Sequence, residues 1–231
     1  MTVHEASNAI VVNTKPESKK FSFDYVADEQ TSQEKMFQIV GIPITNNCLD
    51  GYNGTIICYG QTGSGKSHTT FGSNDLSNRG LVPRVLEYIW THINNQASVA
   101  TPSTPPASPS VLRSNPSTTT SYSCSCCFYE IYQEKVYDLL DPTSFATGSS
   151  SKDMVVDAKS LQVREDSKSG VYVEGLLEEF VSSSADAKRI LSLGNSNRHV
   201  GATNMNRESS RSHAVFLLTI RSEHTNVETG K

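Results

Sequence analysis

The sequence predicts an α/β fold built on a central, mostly parallel sheet with helices on both faces. Three observations carry this reading. The β-branched, apolar run Thr55-Ile56-Ile57-Cys58-Tyr59 reads as a strand buried on both sides, and it leads straight into glycine-rich sequence. Helix start signals stand on either side of it, a capping box at Thr31-x-x-Glu34 and Pro83 in the first turn of a later helix. Farther on, strand-like and helix-like stretches keep alternating.

Taken in order, the first helix carries Met36, Phe37, Val40 and Ile44 at helical spacing, with Pro43 expected to kink or restart it. The helix at Pro83 presents Val82, Leu86, Ile89, Trp90 and Ile93 as one apolar stripe. Strands are expected over residues 124–132, 161–164, 171–174 and 214–222. Before the last of these, a helix opens at Ser183-x-x-Asp186 and runs through Ile190, Leu191 and Leu193. Residues 97–123 are Ser, Thr and Pro with almost nothing to bury, which reads as a low-complexity insertion, and residues 141–152 read as a second polar loop. Closure entropy grows only logarithmically with loop length, so one domain spanning residues 1–231 is expected to carry both.

A chain of 231 residues is long enough to bury a substantial core. Lys plus Arg number 20 against 24 Asp plus Glu, a net charge of -4 that excludes a generally basic nucleic-acid binder. No run approaches the roughly 18 apolar residues of a membrane helix, and residues 1–10 lack a secretory apolar core. A soluble, intracellular chain with neither a membrane nor a nucleic-acid partner is therefore expected. Of the 5 cysteines, Cys124, Cys126 and Cys127 lack zinc-ligand spacing, so buried or half-buried free thiols are expected.

Gly60-Gln61-Thr62-Gly63-Ser64-Gly65-Lys66-Ser67 matches the phosphate-loop pattern G-x-x-x-x-G-K-[ST] at every fixed position. Glycines let the backbone curl so that successive N–H groups point at phosphate oxygens, and the helix that follows adds its positive end. Lys66 would neutralise the β- and γ-phosphates, and the Ser67 hydroxyl is a hard oxygen ligand suited to Mg²⁺. The loop does not by itself choose among ATPases, GTPases and small-molecule kinases. The sequence has no Asn-Lys-x-Asp guanine reader, which favours ATP over GTP.

A second polar constellation, Asn206-Arg207-Glu208-Ser209-Ser210-Arg211-Ser212-His213, precedes the last strand. As a plain loop it would be a self-capping turn. Following a phosphate loop, its adjacent hydroxyls suit a segment that orders Mg²⁺-bound and attacking water. These two motifs together resemble the kinesin motor domain. Gly51-Tyr52-Asn53-Gly54-Thr55 running into Tyr59 and the phosphate loop is similar to that family's nucleotide region, with Ser67 where Thr is more usual. Asn206-x-x-Ser209-Ser210-Arg211-Ser212-His213 resembles its switch I. Phe21-Ser22-Phe23-Asp24, Gly80-Leu81-Val82-Pro83-Arg84, Glu130-Ile131-Tyr132 and Ser196-Asn197-Arg198-His199-Val200 match as well. Met205-Asn206-Arg207-Glu208 is similar to the spindle- and phragmoplast-associated kinesins.

The resemblance implies the phosphate-loop motor fold and a role for each site residue. Gln61, Thr62, Gly63, Ser64, Gly65, Lys66 and Ser67 would hold the phosphates of ATP and, through Ser67 and Ser210, Mg²⁺. His68 would lie against adenine, with packing on a neighbouring loop as the alternative. Asn206, Ser209 and Ser210 would sense the γ-phosphate and position water, and Arg211 would pair with an acid of a second switch. That switch, Asp-x-x-Gly, has no match: no Asp in the sequence has Gly three positions later. Both ends look cut, so the expectation is a partial motor domain that lacks the first strand, the second switch and the coiled-coil dimerisation region, inactive in ATP hydrolysis as an isolated chain. The implied partner is the microtubule, with Arg164 and Lys168 of the hairpin at residues 161–175 facing acidic tubulin. The implied location is the cytoplasmic microtubule cytoskeleton, including the spindle. Two other readings stay open: a non-catalytic nucleotide-binding or interaction module from a truncated gene, and a different phosphate-loop enzyme such as a small-molecule kinase.

Overall fold

The computed structural model describes residues 2–4, 7–73, 75–99, 118–141, 160–167, 170–204 and 211–226. The chain divides into two compact units, Met1–Asn47 with Asn53–Val85, and Cys48–Tyr52 with Leu86–Lys231.

The first unit opens with an antiparallel meander of β1 (Thr2–His4), β2 (Ala9–Val12) and β3 (Lys19–Ser22). Helix α1 (Gln33–Met36) follows. Its cap is Ser32, whose hydroxyl accepts from the Lys35 amide at 3.1 Å, one residue later than the capping box placed it. Thr31 is engaged elsewhere, donating its hydroxyl to Asp28 Oδ1 at 2.9 Å. Before Pro43 the helix widens into a π-helical turn (Phe37–Gly41) and restarts as α2 (Ile42–Leu49), with Pro43 in the opening turn. There its missing N–H costs little.

Residues 55–59 depart most from the sequence reading. They form no strand, and Ile57 and Tyr59 are 82% and 97% exposed. A strand persists only where neighbours take up its N–H and C=O groups, and among the described residues none pairs with this run. Composition of the right kind is present without a ladder to join. The short helix α3 (Lys66–Thr70) and then α4 (Leu81–Val99) follow. Pro83 falls in the first turn of α4, and Leu86, Ile89 and Trp90 of the predicted stripe are buried.

In the second unit the long strand β4 (Thr118–Tyr132) pairs along its length with β9 (His213–Asn226). On its other side lie β5 (Lys135–Asp138) and β8 (Glu179–Val181). Residues 124–128 are all buried, so β4 is covered on both faces, as a central strand should be. The expected parallel order is not what forms: every pairing among the described residues is antiparallel. Between β4 and β5 the reason is local. The two strands are joined by Gln133 and Glu134, both at positive φ (48° and 62°), a turn that can only reverse the chain.

β4 also begins at Thr118, inside the span read as an insertion over residues 97–123. Its Thr120, Ser121 and Tyr122 have partners in His224, Glu223 and Ser222, so β-branched and hydroxyl residues serve on an exposed strand end. The polar loop read at residues 141–152 lies outside the described residues apart from Asp141. The hairpin forms as expected from β6 (Gln162–Asp166) and β7 (Gly170–Glu174). The Ser183-x-x-Asp186 box caps α5 (Ser184–Asn204): Ser183 Oγ accepts from the Asp186 amide at 3.1 Å and donates to Asp186 Oδ2 at 2.9 Å. Helix α5 lies against β4, and Gly194 permits the approach because a Cβ there would overlap the Phe128 ring. Phe128 in turn meets its cross-strand partner Phe216 edge-on, ring centroids 5.5 Å apart. All five cysteines are free, with Cys124, Cys126 and Cys127 buried and Cys48 and Cys58 half-buried.

Candidate functional site

In the first unit the glycine-rich motif makes a tight loop that ends in α3. Gly60, Gly63 and Gly65 all take positive φ (155°, 81° and 90°), conformations that side-chain-bearing residues resist. The Ser64 amide donates to the Gln61 carbonyl at 3.2 Å, closing the turn. Lys66, half-buried, folds its ammonium back to donate to the carbonyls of Gly60 and Gln61, both at 2.7 Å. The cation thus sits at the loop itself, held by two backbone oxygens. Gln61, Thr62, Ser64, Ser67 and His68 are exposed. Beside the loop lies a cavity of about 270 Å³ lined by Met36, Val40, Leu81 and residues 56–59, with Ser64, Lys66 and Thr69 at its polar end.

Helix α1 holds this loop from behind through a residue that motif reading missed. Gln33, buried at 7% exposure, donates from Nε2 to the His68 carbonyl at 2.6 Å and faces the His68 ring Nδ1 at 3.0 Å. A carbonyl only accepts, so the amide group turned toward His68 must be the NH₂. Gln33 therefore fixes the second half of α3, and the exposed His68 ring meets the Gln33 side chain. Buried Arg84 ties the following turn to α1. It donates to Glu34 Oε2 at 2.6 Å, to the Arg79 carbonyl at 3.0 Å and to the Ser77 carbonyl at 3.0 Å. The only forewarning of Arg84 was its place in Gly80-Leu81-Val82-Pro83-Arg84.

In the second unit, Asn206, Ser209 and Ser210 lie outside the described residues. Arg211 is exposed, just ahead of β9. Asn197 Nδ2 donates to the Leu139 carbonyl at 2.7 Å, and Arg198 Nε donates to Glu130 Oε1 at 3.1 Å. In the hairpin, Arg164 is already paired with Glu174 at 2.9 Å, an exposed contact of small worth, and Lys168 lies outside the described residues.

Among the described residues no group of His, Cys, Asp and Glu is arranged to hold a metal, and no helix is long and apolar enough to cross a membrane. The donor set at the loop is the one that suits hydrated Mg²⁺ carried by a nucleotide: one hydroxyl, Ser67, next to one ammonium, Lys66.

A glycine-built phosphate loop running into a helix, within a mixed α/β fold, defines a phosphate-loop protein. Residues 1–231 match the kinesin motor domain as a family. The chain is 42% identical over 227 residues to kinesin-like protein KIF15-B of Xenopus laevis, covering 96% of this chain and 14% of that protein. It is 41% identical over 222 residues to human kinesin-like protein KIF15 (94% and 14%), and 42% identical over 213 residues to kinesin-like protein KIN-12D of Arabidopsis thaliana (90% and 7%). The solved structure of a fast kinesin superposes with a TM-score of 0.75 at 35% identity, over 97% of this chain and 54% of that one. The chain belongs to the kinesin motor-domain family. The resemblance and the α/β motor fold expected from sequence are thereby shown, and ATP binding and microtubule association are general features of that family. The chain spans about one seventh of the animal relatives' length and 54% of the matched structure.

Proposed function

We propose that this chain is the nucleotide-binding part of a microtubule motor, taking MgATP on residues 60–67. The observation that carries the proposal is the loop: three glycines at positive φ bring the Lys66 ammonium to 2.7 Å from two loop carbonyls. Lys66, now donating to those carbonyls, would hold the β- and γ-phosphates. The Ser67 hydroxyl would hold Mg²⁺, which would supply charge neutralisation to the bound nucleotide. Asn206, Ser209 and Ser210 are assigned to the γ-phosphate and the attacking water, Ser210 also to Mg²⁺, and Arg211 to an acidic partner; this rests on the family resemblance. His68 is assigned to the adenine side of the loop, with Gln33 behind it.

The work of the whole motor is movement along microtubules driven by phosphoryl transfer to water, a reaction catalysed by positioning and charge neutralisation. The cytoskeletal, including spindle, location goes with that work. These 231 residues contain no Asp-x-x-Gly, the acid-bearing switch that the hydrolytic step calls for. By themselves they are expected to bind ATP weakly and turn it over negligibly. Two measurements test this: displacement of a fluorescent ATP analogue by ATP and GTP, and phosphate release from ATP with and without microtubules. Preference for ATP with negligible turnover supports the proposal. Equal displacement by GTP, or turnover at the rate of an intact motor, contradicts it.

A further inference from the structure

Strand β9 is paired along one side, where β4 runs beside it, and among the described residues no strand pairs with its other side. That outer edge can be read residue by residue. The Leu139 amide donates to the Phe128 carbonyl at 2.9 Å, so even-numbered residues of β4 turn their N–H and C=O groups toward β5 and odd-numbered ones toward β9. The β4–β9 register is unbroken and sets Ser123 opposite Arg221 and Ser121 opposite Glu223. Arg221 and Glu223 therefore direct their backbone groups at β4, whereas Ile220, Ser222 and His224 present theirs at the outer edge.

Natural edge strands are kept short, bulged or interrupted by proline, because an open row of N–H and C=O groups pairs with another strand. β9 uses none of these devices: it has 14 residues, no Pro or Gly, and no bulge in its ladder. Apart from its histidines, its ionisable residues are Arg221 and Glu223, opposite in sign and two positions apart. That spacing suits a second copy of the same strand. When β9 pairs antiparallel with itself about a twofold at Ser222, Arg221 of each copy stands opposite Glu223 of the other, at positions where side chains approach most closely. Ser222 then meets Ser222 and Ile220 meets His224, each as a hydrogen-bonded pair. A twofold one residue either way opposes Arg221 with Arg221 or Glu223 with Glu223, and like charges there repel. Charge thus selects one register. Residues 221–225 are all exposed, so the pairing falls on the accessible end of the strand. Arg221 Nη2 donates to Glu178 Oε1 at 3.1 Å, and a guanidinium has further N–H groups for a second carboxylate.

We propose that two copies of this chain pair through the outer edge of β9, antiparallel about Ser222, joining their two β4-centred sheets into one. The interface uses residues of the second unit alone.

Sedimentation velocity over a range of concentrations tests this on the 231-residue chain, on Arg221→Glu, on Glu223→Arg and on the double exchange. The parent is expected to show a reversible monomer–dimer equilibrium. Each single variant places two like-charge pairs in the interface and should weaken dimerisation about tenfold or more. The double exchange restores both pairs while still lacking the bridge to Glu178, so its recovery comes from the contact between copies. An equimolar mixture of the two single variants should dimerise at concentrations where neither does alone. Ser222→Cys should form a disulfide-linked dimer under mild oxidation, above the background of the parent's own thiols, since paired Cα atoms at a hydrogen-bonded position lie about 5.5 Å apart. Thr219→Cys, about 20 Å from its counterpart in this register, should not. A monomer at every concentration means that the edge is kept for a different strand, and overturns the proposal. A dimer indifferent to the charge exchanges, or equal cross-linking at positions 219 and 222, overturns it by placing the contact elsewhere.

Discussion

The Lys66 ammonium lies 2.7 Å from the Gly60 carbonyl, six residues back in the same loop. That contact closes the glycine turn on itself and holds the cation at the loop. It is bought with backbone that only glycine adopts readily, since Gly60, Gly63 and Gly65 all sit at positive φ.

Gly194 is required for packing. Because an added Cβ would overlap the Phe128 ring, Gly194→Ala should push α5 off β4 and destabilise the chain by about 1–3 kcal/mol, as overpacked cores do. Thermal or urea unfolding of the variant checks this, and an unchanged or higher midpoint would show that α5 shifts freely.

Burial raises the Cys126 thiol to about 12 and the Cys127 thiol to about 11, with neighbouring thiols adding to the first and Glu178 and Asp138 to the second. The thiolate is the reactive form, so both should resist alkylation at pH 8 in the native state. Half-buried Cys48 and Cys58 should be labelled first. Mass spectrometry of iodoacetamide-treated protein reads the order, and early labelling of Cys126 would contradict the β4 assignment.

Asp138 is pushed above its ordinary 3.8 by burial, against the pull of the Leu177 and Leu140 amides that donate to it at 2.7 and 2.8 Å. A carboxyl with a raised folded-state value holds its proton in the native chain after the unfolded chain has lost it. Its contribution is therefore complete below pH 3.8 and is lost as pH climbs through the folded-state value. Asp138→Asn should flatten that limb of the stability curve. Parallel curves for variant and parent would show that Asp138 titrates alike in both states.

How far the fold could be read in advance depended on whether an element carried its own instructions. The box at Ser183 and Asp186 and the stripe through Leu86, Ile89 and Trp90 are local signals, and both helices formed where expected. The run at residues 55–59 has strand chemistry but needs partners from elsewhere in the chain, which no local pattern supplies. β8 escaped notice because Glu179 and Phe180 are exposed and only Val181 is buried, leaving no alternation to detect. At the site, the loop was legible because its glycines and lysine sit at fixed spacing. Gln33 was not, since its partner His68 lies 35 residues away and nothing in either neighbourhood announces the contact. Glu130 and Arg198 were visible as family matches, yet their pairing joins β4 to α5 and could only be seen once both had folded.

Nucleotide binding by this chain turns on Lys66 of the phosphate loop. Calorimetric titration of MgATP into the chain and into Lys66→Ala measures it. Binding by the parent, lost in the variant while its unfolding midpoint is retained, is the predicted result. Equal affinity in both would mean that the ammonium held by Gly60 and Gln61 takes no part in binding nucleotide, and the proposed function would fail with it.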